Sequence, residues 1–585
     1  MRDLFLAEHG ILPGNEIAGQ LSRLLSQNKL DTVFHFAPGV YHLHPRDAAA
    51  FSVSLSNSDQ RPQLKAGLLL EGMHRVRVVG HGAALLCHGQ ISPLALLDSS
   101  GIHIDGLTID YSPTHNAEGV ILSSASGRVD VSVDTSLYPY QMKDERLYFF
   151  NGEEYTPYFG AIEFDAQSRR TAFQTGDKFR SKRQEEIEKG IVRFHGTFDP
   201  LPTVGNVITL RHSPRIHPGI LVHHCEDVVL DSITLHNTCG LGILSQFSRN
   251  LSYSQIIMRP NEAAGRRVVS CHDDGLHFSN NSGSIKVDGC FFHGLMDDPI
   301  NVHGTALKIR EINGSRSLIA EFAHDQSAAF PLWAKAGDEI SLIEHLSMSD
   351  LGRADVQSYS LLTGNACAVT FTRDLPADIK PGDALENLTN TPAVAITNSY
   401  FGSCRARGIL VSTPKPVRIE SNVFESSGCA VLIPGDANDW FESGACKGVL
   451  IRRNHFTDGC LTSMYQFCEG IISICPEIPE PKKDRPFHQN IRITENTFHA
   501  FQSPVLYALS VSGLEFTHNT IIKSQAYTPW HPRRAMATVK ACSHVHIADN
   551  RFVGDVCSRE IVEEKQSSID NSKSLGGIGG PKPSD

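Results

Sequence analysis

One eight-residue pattern recurs ten times along the chain and constrains the fold more than any other sequence feature. Residues i, i+2 and i+7 of each copy are apolar, and residue i+5 is asparagine in most of the later copies. Because a repeat of this kind buries its apolar face only by stacking on its neighbours, the copies predict a solenoid. The copies are IHIDGLTI (102–109), VVLDSITL (228–235), LSYSQIIM (251–258), IKVDGCFF (285–292), AVAITNSY (393–400), VRIESNVF (417–424), VLIRRNHF (449–456), IRITENTF (491–498), LEFTHNTI (514–521) and VHIADNRF (545–552).

Each copy indicates a strand, a tight turn and a second strand. Two apolar residues spaced two apart give a strand with one buried face. Asparagine tolerates the left-handed conformation that a tight turn needs, and its amide can bond the backbone of the next coil. The chain is therefore predicted to be all-β, a right-handed parallel β-helix (a pectate-lyase-like solenoid). A propeller or sandwich would instead show antiparallel hairpins with two-residue turns, which are few here.

Two gaps between copies are too long for a single coil and predict insertions. The gap after the copy at 102 contains RVDVSVD, RLYFFNG and NVITLRH, and the gap after 285 contains ALKIREI, SLIAEFA, DEISLIEH and ACAVTFT. These strand-like stretches predict two small inserted β-barrel subdomains. The expected segments are an N-terminal cap and first coils (1–123), barrel 1 (124–215), central coils (216–304), barrel 2 (305–390), C-terminal coils (391–558) and a disordered tail (559–585).

The N-terminus is expected to close the open end of the solenoid. In NEIAGQLSRLLSQN (15–28), Ile17, Leu21, Leu24 and Leu25 share one helical face, which predicts an N-terminal capping helix. The opening MRDLFLAEHGILPG has no long apolar core and no small-residue cleavage site, so as written it is not a signal peptide and favours a cytoplasmic location.

Charge and composition exclude some classes of protein. The net charge of −11 and pI of about 6.2 argue against a nucleic-acid partner, which requires a concentrated basic surface. No apolar stretch is long enough for a transmembrane helix, so no membrane partner is expected. The fourteen cysteines are scattered without a C-x-x-C pair. They are expected to be buried free thiols of a reducing compartment, and a metal or other cofactor is not expected.

Two short segments pair adjacent acids in the middle of the solenoid. DDGLHF (273–278) and DDPINV (297–302) share one pattern at a spacing of 24 residues, which is one coil. Equivalent positions of adjacent coils stack about 4.8 Å apart. Asp274 should therefore lie beside Asp298, and Asp273 near Asp297. The matching strands GILSQF (242–247), GILVST (408–413) and AVLIPG (430–435) carry no acid there.

Such a cluster is open to a structural and a catalytic interpretation. Calcium would need six or more oxygen ligands, and the neighbours His272, His277, Asn301 and His303 do not favour it. Carboxylates this close cannot all ionise freely, so one pKa rises, which supplies an acid and a base at one pH. Glycoside hydrolysis uses such a pair.

Both carboxylates of an adjacent pair can share a groove only if the backbone bends there. The side chains of neighbouring residues on a regular strand point to opposite faces, and Pro299 makes a bend plausible. Asp273 is either a fourth acid of the site or a turn residue, and the turn is favoured.

The chain resembles glycoside hydrolase family 110, the bacterial α-1,3-galactosidases that remove terminal galactose of blood group B. The resemblance covers about residues 5–555 and is carried by long motifs: HDDGLHFSNNSG (272–283), GLMDDPINVHG (294–304), ARGILVSTPKPV (406–417), IPGDANDWFESGA (433–445) and TSMYQFCEGIISICPEI (462–478). It implies a β-helix with two β-barrel insertions and a metal-independent, inverting reaction. Many members are exported, whereas this chain shows no export signal.

The resemblance also implies roles for the aspartates. Asp297 corresponds to the general acid, while Asp274 and Asp298 hold and activate the water. For inversion, acid and base should lie roughly 6.5–9.5 Å apart. The expected partner is a glycan with terminal α-galactose, either branched like blood group B or linear, and a homo-oligomer is possible.

Other residues near these motifs are candidates for binding galactose. Trp440 could stack on the apolar face of the sugar or pack as an ordinary loop residue. Side chains that could hydrogen-bond sugar hydroxyls are Asp436, Asn301, His303, Arg407, Tyr465 and Glu469. Two other functions remain open. A polygalacturonase-like hydrolase would require several Lys or Arg near the site, and the motif region is poor in them. A non-catalytic glycan-binding solenoid would not need three clustered aspartates.

Overall fold

The computed structural model describes residues 1–265, 267–362 and 364–564. It confirms the expected all-β fold, a parallel β-helix built mainly from two long sheets. Sheet I contains Arg2–Phe5, Leu30–His35, Val40–Leu43, His74–Cys87, Ser100–Tyr111, Glu226–Asp231, Thr234–Leu235, Arg249–Ser254, Ile257–Met258, Ser282–Asp288, Phe291–Phe292, Pro392–Thr397, Tyr400–Phe401, Val417–Glu420, Val423–Phe424, Val449–Arg452, His455–Phe456, His488–Thr494, Thr497–Ala500, Val511–Thr517, Thr520–Lys523, Ser543–Ala548 and Arg551–Val553.

Sheet II forms a second face of the same coils. Its strands are parallel apart from the strand Ala49–Phe51 at one edge and the side pairing of Glu442–Ser443. They are Ala49–Phe51, Leu64–Glu71, Ser92–Leu97, Ile220–His223, Ile243–Gln246, Leu276–Ser279, Ile300–Thr305, Ile409–Val411, Val431–Ile433, Glu442–Ser443, Ile472–Ile474, Leu506–Leu509, Ala537–Lys540 and Ile561–Glu564.

The strand register follows the sequence repeat, with one correction. Val228 of one copy pairs with Ile102 and Leu251 of its neighbours, so equivalent apolar residues stack. The prediction for the copy at 393–400 is wrong by one residue, because Val394, not Ala393, pairs with Val417. The larger side chain is the one turned into the core, as burial of apolar area favours.

The repeated asparagines form a ladder through the C-terminal coils. The side chain of Asn454 accepts a bond from the backbone N–H of Asn422 at 2.9 Å and donates to Asn496 Oδ1 at 3.0 Å and to the carbonyl of Ile419 at 2.9 Å. The left-handed conformation belongs to the residue before each asparagine: φ is 59° at Ser421, 55° at Arg453 and 56° at Glu495. The asparagines therefore link coils rather than make the turn themselves.

The i+7 position supplies a second ladder inside the core. Phe401, Phe424 and Phe456 stack with ring centroids 4.7 and 5.0 Å apart. Phe292 and Phe498 extend the stack at its two ends, with centroid distances of 5.3 and 4.5 Å. Because every ring is buried, the stack holds the coils in register through apolar contact.

Two inserted β domains interrupt the coils. The first contains a six-stranded antiparallel sheet and a three-stranded sheet that share one apolar core, and its first strand already begins at Asn116, before the expected boundary at 124. Its strands are Asn116–Ala125, Arg128–Val133, Tyr140–Lys143, Arg146–Phe150, Tyr155–Pro157, Gly160–Phe164, Phe179–Glu188, Ile191–Phe198 and Val207–Arg211. The second is a closed six-stranded barrel of Leu307–Ile312, Ser317–Glu321, Glu339–Ile343, Asp350–Leu361, Ala366–Phe371 and Ala384–Asn387.

The two ends of the solenoid differ. The expected capping helix is present as Ala18–Gln27, and its residues Ala18, Leu21 and Leu25 join the main core. At the other end Ile561–Glu564 forms a strand of sheet II, so the predicted disorder is wrong there. The rest of the predicted tail, 565–585, lies outside the described residues. Short 3-10 helices span Leu6–His9, Pro45–Asp47 and Glu262–Ala264.

The fourteen cysteines are all free thiols, as expected, and only Cys475 and Cys557 are not buried. In the described part of the chain, no helix has the length and apolar character needed to cross a membrane.

Candidate active site

The aspartates lie where the chain leaves sheet I and enters sheet II. Asp273 and Asp274 precede the strand Leu276–Ser279, and Asp297 and Asp298 precede Ile300–Thr305 in the next coil. Leu276 pairs with Ile300, which confirms that Asp274 and Asp298 occupy equivalent positions of stacked coils.

The third coil places a cation in the same column. Ile300 pairs with Ile409, so Arg407 is the equivalent of Asp298. The segment ARGILVST (406–413) carries no acid at the position equivalent to Asp298. The arginine two residues before its strand is the feature that the alignment of the three segments could have revealed.

A bend before each strand brings adjacent carboxylates to one site, as the hypothesis required. Residues 296–299 form a bend, and the regular strand starts only at Ile300. Gly275 allows the two coils to approach here, because a Cβ on it would lie 2.6 Å from the Pro299 carbonyl oxygen.

Asp298 is the most deeply buried of the three proposed catalytic carboxylates. Its Oδ1 accepts the backbone N–H of Arg407 at 2.8 Å, and its Oδ2 accepts the Arg407 guanidinium at 2.7 Å. Burial raises the pKa of Asp298 well above its usual value, against the opposing effect of Arg407, and Asp297 and Asp274 raise it further. Asp298 is therefore held in one orientation by two charge-assisted bonds.

Asp274 faces a histidine instead of an arginine. Its Oδ2 lies 2.6 Å from His277 Nδ1, and His277 Nε2 lies 2.9 Å from His303 Nε2. Burial raises the pKa of Asp274 well above its usual value, and the charge of Asp297 adds to the effect. Because the charge of Asp297 raises the pKa of both Asp274 and Asp298, the cluster favours binding a proton.

Asp297 is the most accessible of the three. Its side chain is 18% exposed, against 9% for Asp274 and 1% for Asp298. Arg405 Nη1 lies 3.3 Å from Asp297 Oδ2, while the rest of the same guanidinium pairs with Asp177 of the first insert at 2.7 and 3.1 Å. A carboxylate that reaches the surface beside two enclosed ones is placed to meet a leaving group.

Asp273 is more than the turn residue that was predicted. It is fully buried in a bend, with His272 Nδ1 at 2.8 Å and Arg211 at 2.9 Å, and Arg215 Nη1 lies 3.6 Å away. Burial would raise the pKa of Asp273, but the charges of His272, Arg215 and Arg211 outweigh burial and lower it. Asp273 thus anchors the first insert to the corner that carries the site.

The loop that contains Asp436 and Trp440 is held by hydrogen bonds within the loop itself. The Asp436 carboxylate accepts the backbone N–H groups of Asn438, Asp439, Trp440 and Phe441. It therefore shapes the loop and has little capacity left for a sugar. Trp440 is half-buried and stacks on His324 of the second insert, with ring centroids 4.0 Å apart, so only its other face can meet a ligand.

Three other candidates already have protein partners at their polar atoms. Tyr465 is buried, and its hydroxyl accepts the N–H of Glu163 at 3.2 Å in the first insert. Glu469 pairs with Arg533, which also holds Glu564 at 2.6 Å. Both His303 nitrogens are occupied, since Nδ1 lies 2.9 Å from the Gly304 carbonyl oxygen.

Asn301 is the candidate best placed for a ligand. It neighbours His277 in the strand register and is 4% exposed, and its Oδ1 is buried without a hydrogen-bond partner in the described part of the chain. A buried amide oxygen without a partner carries a free-energy cost that a donor of a ligand can relieve.

Sequence reasoning missed several residues of this site. Arg405 lies beside a quoted motif and Glu442 lies inside the motif 433–445, where it was not singled out. Arg211, Arg215 and Asp177 come from distant segments with no motif. The motif region was expected to be poor in arginine, but the folded site is not. Arg211 and Arg215, at the end of the first insert, lie beside Asp273.

One group of side chains in the described part of the chain has the spacing of a metal site. It consists of Glu344, His345 and Asp383 in the second insert. Asp383 accepts from His345, and Glu344 accepts from Ser347, so these oxygens already have donors. At the aspartate corner, arginine and histidine occupy the oxygens that calcium would need.

Comparison with known proteins identifies the family. Residues 117–208 match the model of GLAA-B beta-barrel domain I, and residues 317–385 match GLAA-B beta-barrel domain II. The chain is 40% identical to alpha-1,3-galactosidase B of Bacteroides thetaiotaomicron over 521 residues, covering 88% of this chain and 84% of that protein. The chain belongs to glycoside hydrolase family 110. Alpha-1,3-galactosidase A of Bacteroides fragilis is 31% identical over 92% of this chain and 89% of its own length.

Membership of family 110 makes the protein a glycoside hydrolase. The two matched family domains fall on the two β inserts of the coil. The hydrolase therefore combines a β-helix with accessory β domains, and the carboxylates lie on two adjacent coils between the two insertions in sequence.

Proposed function

We propose that the protein is an inverting, exo-acting α-1,3-galactosidase that removes terminal α-1,3-linked galactose from glycans of blood group B or linear Gal-α-1,3-Gal type. The observation that carries the proposal is the convergence of Asp274, Asp297 and Asp298 on one corner in a chain whose relatives are named alpha-1,3-galactosidases.

Asp297 acts as the general acid in this proposal. It is the most exposed carboxylate, and a proton from its carboxyl group passes to the glycosidic oxygen as the bond to the anomeric carbon breaks. Asp274 and Asp298 hold a water molecule on the opposite face of the ring and remove its proton as its oxygen bonds to that carbon. The product is β-galactose, and the proton lost by Asp297 equals the one gained by the base.

Charge pairing supports a neutral sugar over a uronate. Among the described residues, the four arginines at the corner each face a carboxylate: Arg211 and Arg215 face Asp273, Arg405 faces Asp177 and Asp297, and Arg407 faces Asp298. An anionic substrate would need a cation that is not already compensated. This argues against the polygalacturonase-like alternative.

Asn301 and the open face of Trp440 are the proposed sugar contacts. Asn301 offers a buried amide oxygen to a hydroxyl, and the tryptophan ring can cover the C–H face of galactose. The other predicted contacts, His303, Arg407, Asp436, Tyr465 and Glu469, act through protein partners in this proposal.

The test is to incubate the protein with linear Gal-α-1,3-Gal and with the B-type trisaccharide and to record proton NMR spectra from the first minutes. Early β-galactose is the expected product, and the two initial rates measure the preference for linear or branched substrate. Early α-galactose would overturn inversion. No galactose from either substrate, with retained binding, would instead favour a non-catalytic glycan-binding solenoid.

A further inference from the structure

A row of side chains leads from Asp274 through His277 and His303 to Glu442. Asp274 Oδ2 lies 2.6 Å from His277 Nδ1, and His277 Nε2 lies 2.9 Å from His303 Nε2. His303 Nε2 lies 3.8 Å from Glu442 Oε1. Both imidazole side chains are completely buried, so solvent does not interrupt the row.

The distances determine where protons must be. The Gly304 carbonyl oxygen can only accept a hydrogen bond, so His303 Nδ1, 2.9 Å away, carries a hydrogen. The two Nε2 atoms at 2.9 Å must share one hydrogen, because two lone pairs would repel each other at this distance. The contact between Asp274 and His277 also holds one hydrogen.

These three hydrogens can be arranged in two main ways. In one, Asp274 is protonated and both histidines are neutral. In the other, Asp274 is ionised, His277 carries its hydrogen on Nδ1, and His303 is an imidazolium beside Glu442. The two states differ only by shifting two protons along the row, from His303 to His277 and from His277 to Asp274.

We propose that Glu442, acting through His303 and His277, holds Asp274 in its ionised form and thereby sets the protonation state of the base. The inference rests on the proposed role of Asp274 in activating water. His277, His303 and Glu442 are positioning residues that touch neither the sugar nor the water. The carboxylate of Glu442 stabilises the imidazolium of His303, which is the state in which Asp274 has given up its proton.

The surroundings of the row agree with this assignment. Burial raises the pKa of Asp274, and the charges of Asp297, Asp273 and Glu442 add to this effect while Arg215 opposes it. The direct effect of Glu442 on Asp274 is therefore opposite to its effect through the row, and without the imidazolium of His303, Asp274 would keep its proton. Burial lowers the pKa of His277 to about 3, which disfavours a positive charge on His277 itself. Burial opposes the charge of Glu442, but His303 and His277 outweigh burial and lower its pKa, so Glu442 is anionic.

Other charged groups face the row from several elements. Arg215 and Asp297 act on His277, with opposite signs. Arg407 and the amide of Asn57, which donates to Glu442 Oε1 at 2.7 Å, act on Glu442. The charge of Glu442 also acts to raise the pKa of His324 in the second insert, against the effect of burial. These groups stay in place when only the Glu442 charge is removed.

The first test is the pH profile of kcat/KM for the wild type and for Glu442→Gln. Without the Glu442 charge the proton returns to Asp274, so the acidic limb should move upward by about 1–3 pH units. The loss should be largest at acidic pH and shrink as pH rises. A loss that is equal at every pH, an unchanged limb, or a limb that moves downward would overturn the proposal, because the direct repulsion between Glu442 and Asp274 alone predicts a downward shift.

Further variants distinguish an effect transmitted through the row from a general loss of structure. His303→Gln should move the limb in the same direction, and the double variant should move it no further than the larger single change, because both act through one row. Additive shifts would contradict the row. Glu386→Gln removes a buried carboxyl group of the second insert and should leave the profile unchanged.

A second readout does not need turnover. Histidine-selective ¹⁵N NMR, with His303→Gln used to assign the resonances, should show an imidazolium at His303 near neutral pH in the wild type and a neutral ring in Glu442→Gln. A neutral His303 in the wild type would overturn the inference. A wild type that is inert on both galactosides but has the imidazolium would instead remove the proposed function of Asp274 while retaining the proton row.

Discussion

The part of the central coils that carries the aspartates, residues 272–304, differs from the part of the C-terminal coils that carries the asparagine ladder, residues 417–552, although both are built on the same repeat. In the C-terminal coils each ladder amide has both donors and acceptors in neighbouring coils. In the central coils the ladder is missing, and Cys290 stands at the position of Asn422. The central corner instead buries carboxylates, arginines and histidines.

The two regions differ in how completely their buried polar atoms are hydrogen-bonded. Asn301 Oδ1, His272 Nε2 and Arg407 Nε, all at the corner, are buried without hydrogen-bond partners in the described chain. Within residues 417–552 the atoms in this state, Ser426 Oγ, Ser443 Oγ and His488 Nε2, lie outside the asparagine ladder. The ladder amides that the structure describes have partners in neighbouring coils. Stability is therefore expected to concentrate in the C-terminal coils and reactivity in the central ones.

Asp297→Asn should give the largest separation between the two properties. An amide cannot donate a proton to the leaving oxygen, so we expect kcat on a natural glycan to fall by about 10²–10⁴-fold. The melting temperature should stay near that of the wild type, because Asp297 is partly exposed. The measurements are initial rates and thermal unfolding followed by circular dichroism.

The leaving group distinguishes the acid from the base. An aryl α-galactoside with an acidic phenol needs little protonation, so Asp297→Asn should lose less activity on it than on the glycan, whereas Asp298→Asn should lose as much on both. Equal losses for Asp297→Asn on the two substrates would contradict the acid assignment.

Arg407→Gln should lower both the stability and the activity of the protein. Removing the guanidinium leaves the buried carboxylate of Asp298 without its cation, a change that costs about 3–5 kcal/mol in comparable pairs. We expect the free energy of unfolding in urea to fall by this amount and activity to fall with it. Arg418→Gln is the matched control, because Arg418 pairs with Glu420 on the exposed side of the coils. A similar loss in both variants would show that burial of the pair is not decisive.

Asn454→Ala tests the opposite region. It removes a side chain that bonds three partners in the ladder and leaves buried backbone groups unsatisfied, so we expect about 1–3 kcal/mol less stability in urea unfolding. Activity should be unchanged at temperatures where the protein is folded. Asn550→Ala, at the end of the ladder, should cost less. A selective loss of activity in Asn454→Ala would break the separation between the regions.

The comparison also explains which parts were predictable from sequence. The coils were predictable because the period and apolar spacing repeat at every turn, and the stacking of Asp274 on Asp298 follows from that register. The one-residue error at Val394 arose because alanine and valine are both apolar, so either could face inward.

The partners of the carboxylates were mostly not predictable. Arg211 and Arg215 come from an insert, and Glu442 comes from a side loop that pairs with the strand Ile300–Thr305. Such contacts depend on how inserts fold back, and no local pattern in a single sequence records that. Arg407 is the exception, since the same register that stacks the aspartates also places it.

Asp274→Asn should change stability only slightly, and the change should be a gain. Burial and Asp297 raise the pKa of Asp274 in the folded state, so folded protein binds this proton more tightly than unfolded protein does. Stability from this group is therefore full below the unfolded pKa and is lost as pH rises through the folded pKa. An asparagine carries no such charge, and we expect a gain of about 0.5–2 kcal/mol near neutral pH, as at other sites where activity opposes stability.

The pH dependence identifies the cause of that gain. Urea unfolding of the wild type and of Asp274→Asn should give nearly equal free energies at mildly acidic pH and a growing advantage for the variant as pH rises. Asp273→Asn should behave in the opposite way, because arginines and His272 lower the pKa of Asp273 and its charge stabilises the fold. If the difference in unfolding free energy between wild type and Asp274→Asn were the same at every pH, the amide would be acting through packing. The contrast between Asp273, whose charge stabilises the fold, and Asp274, whose charge opposes it, would then fail.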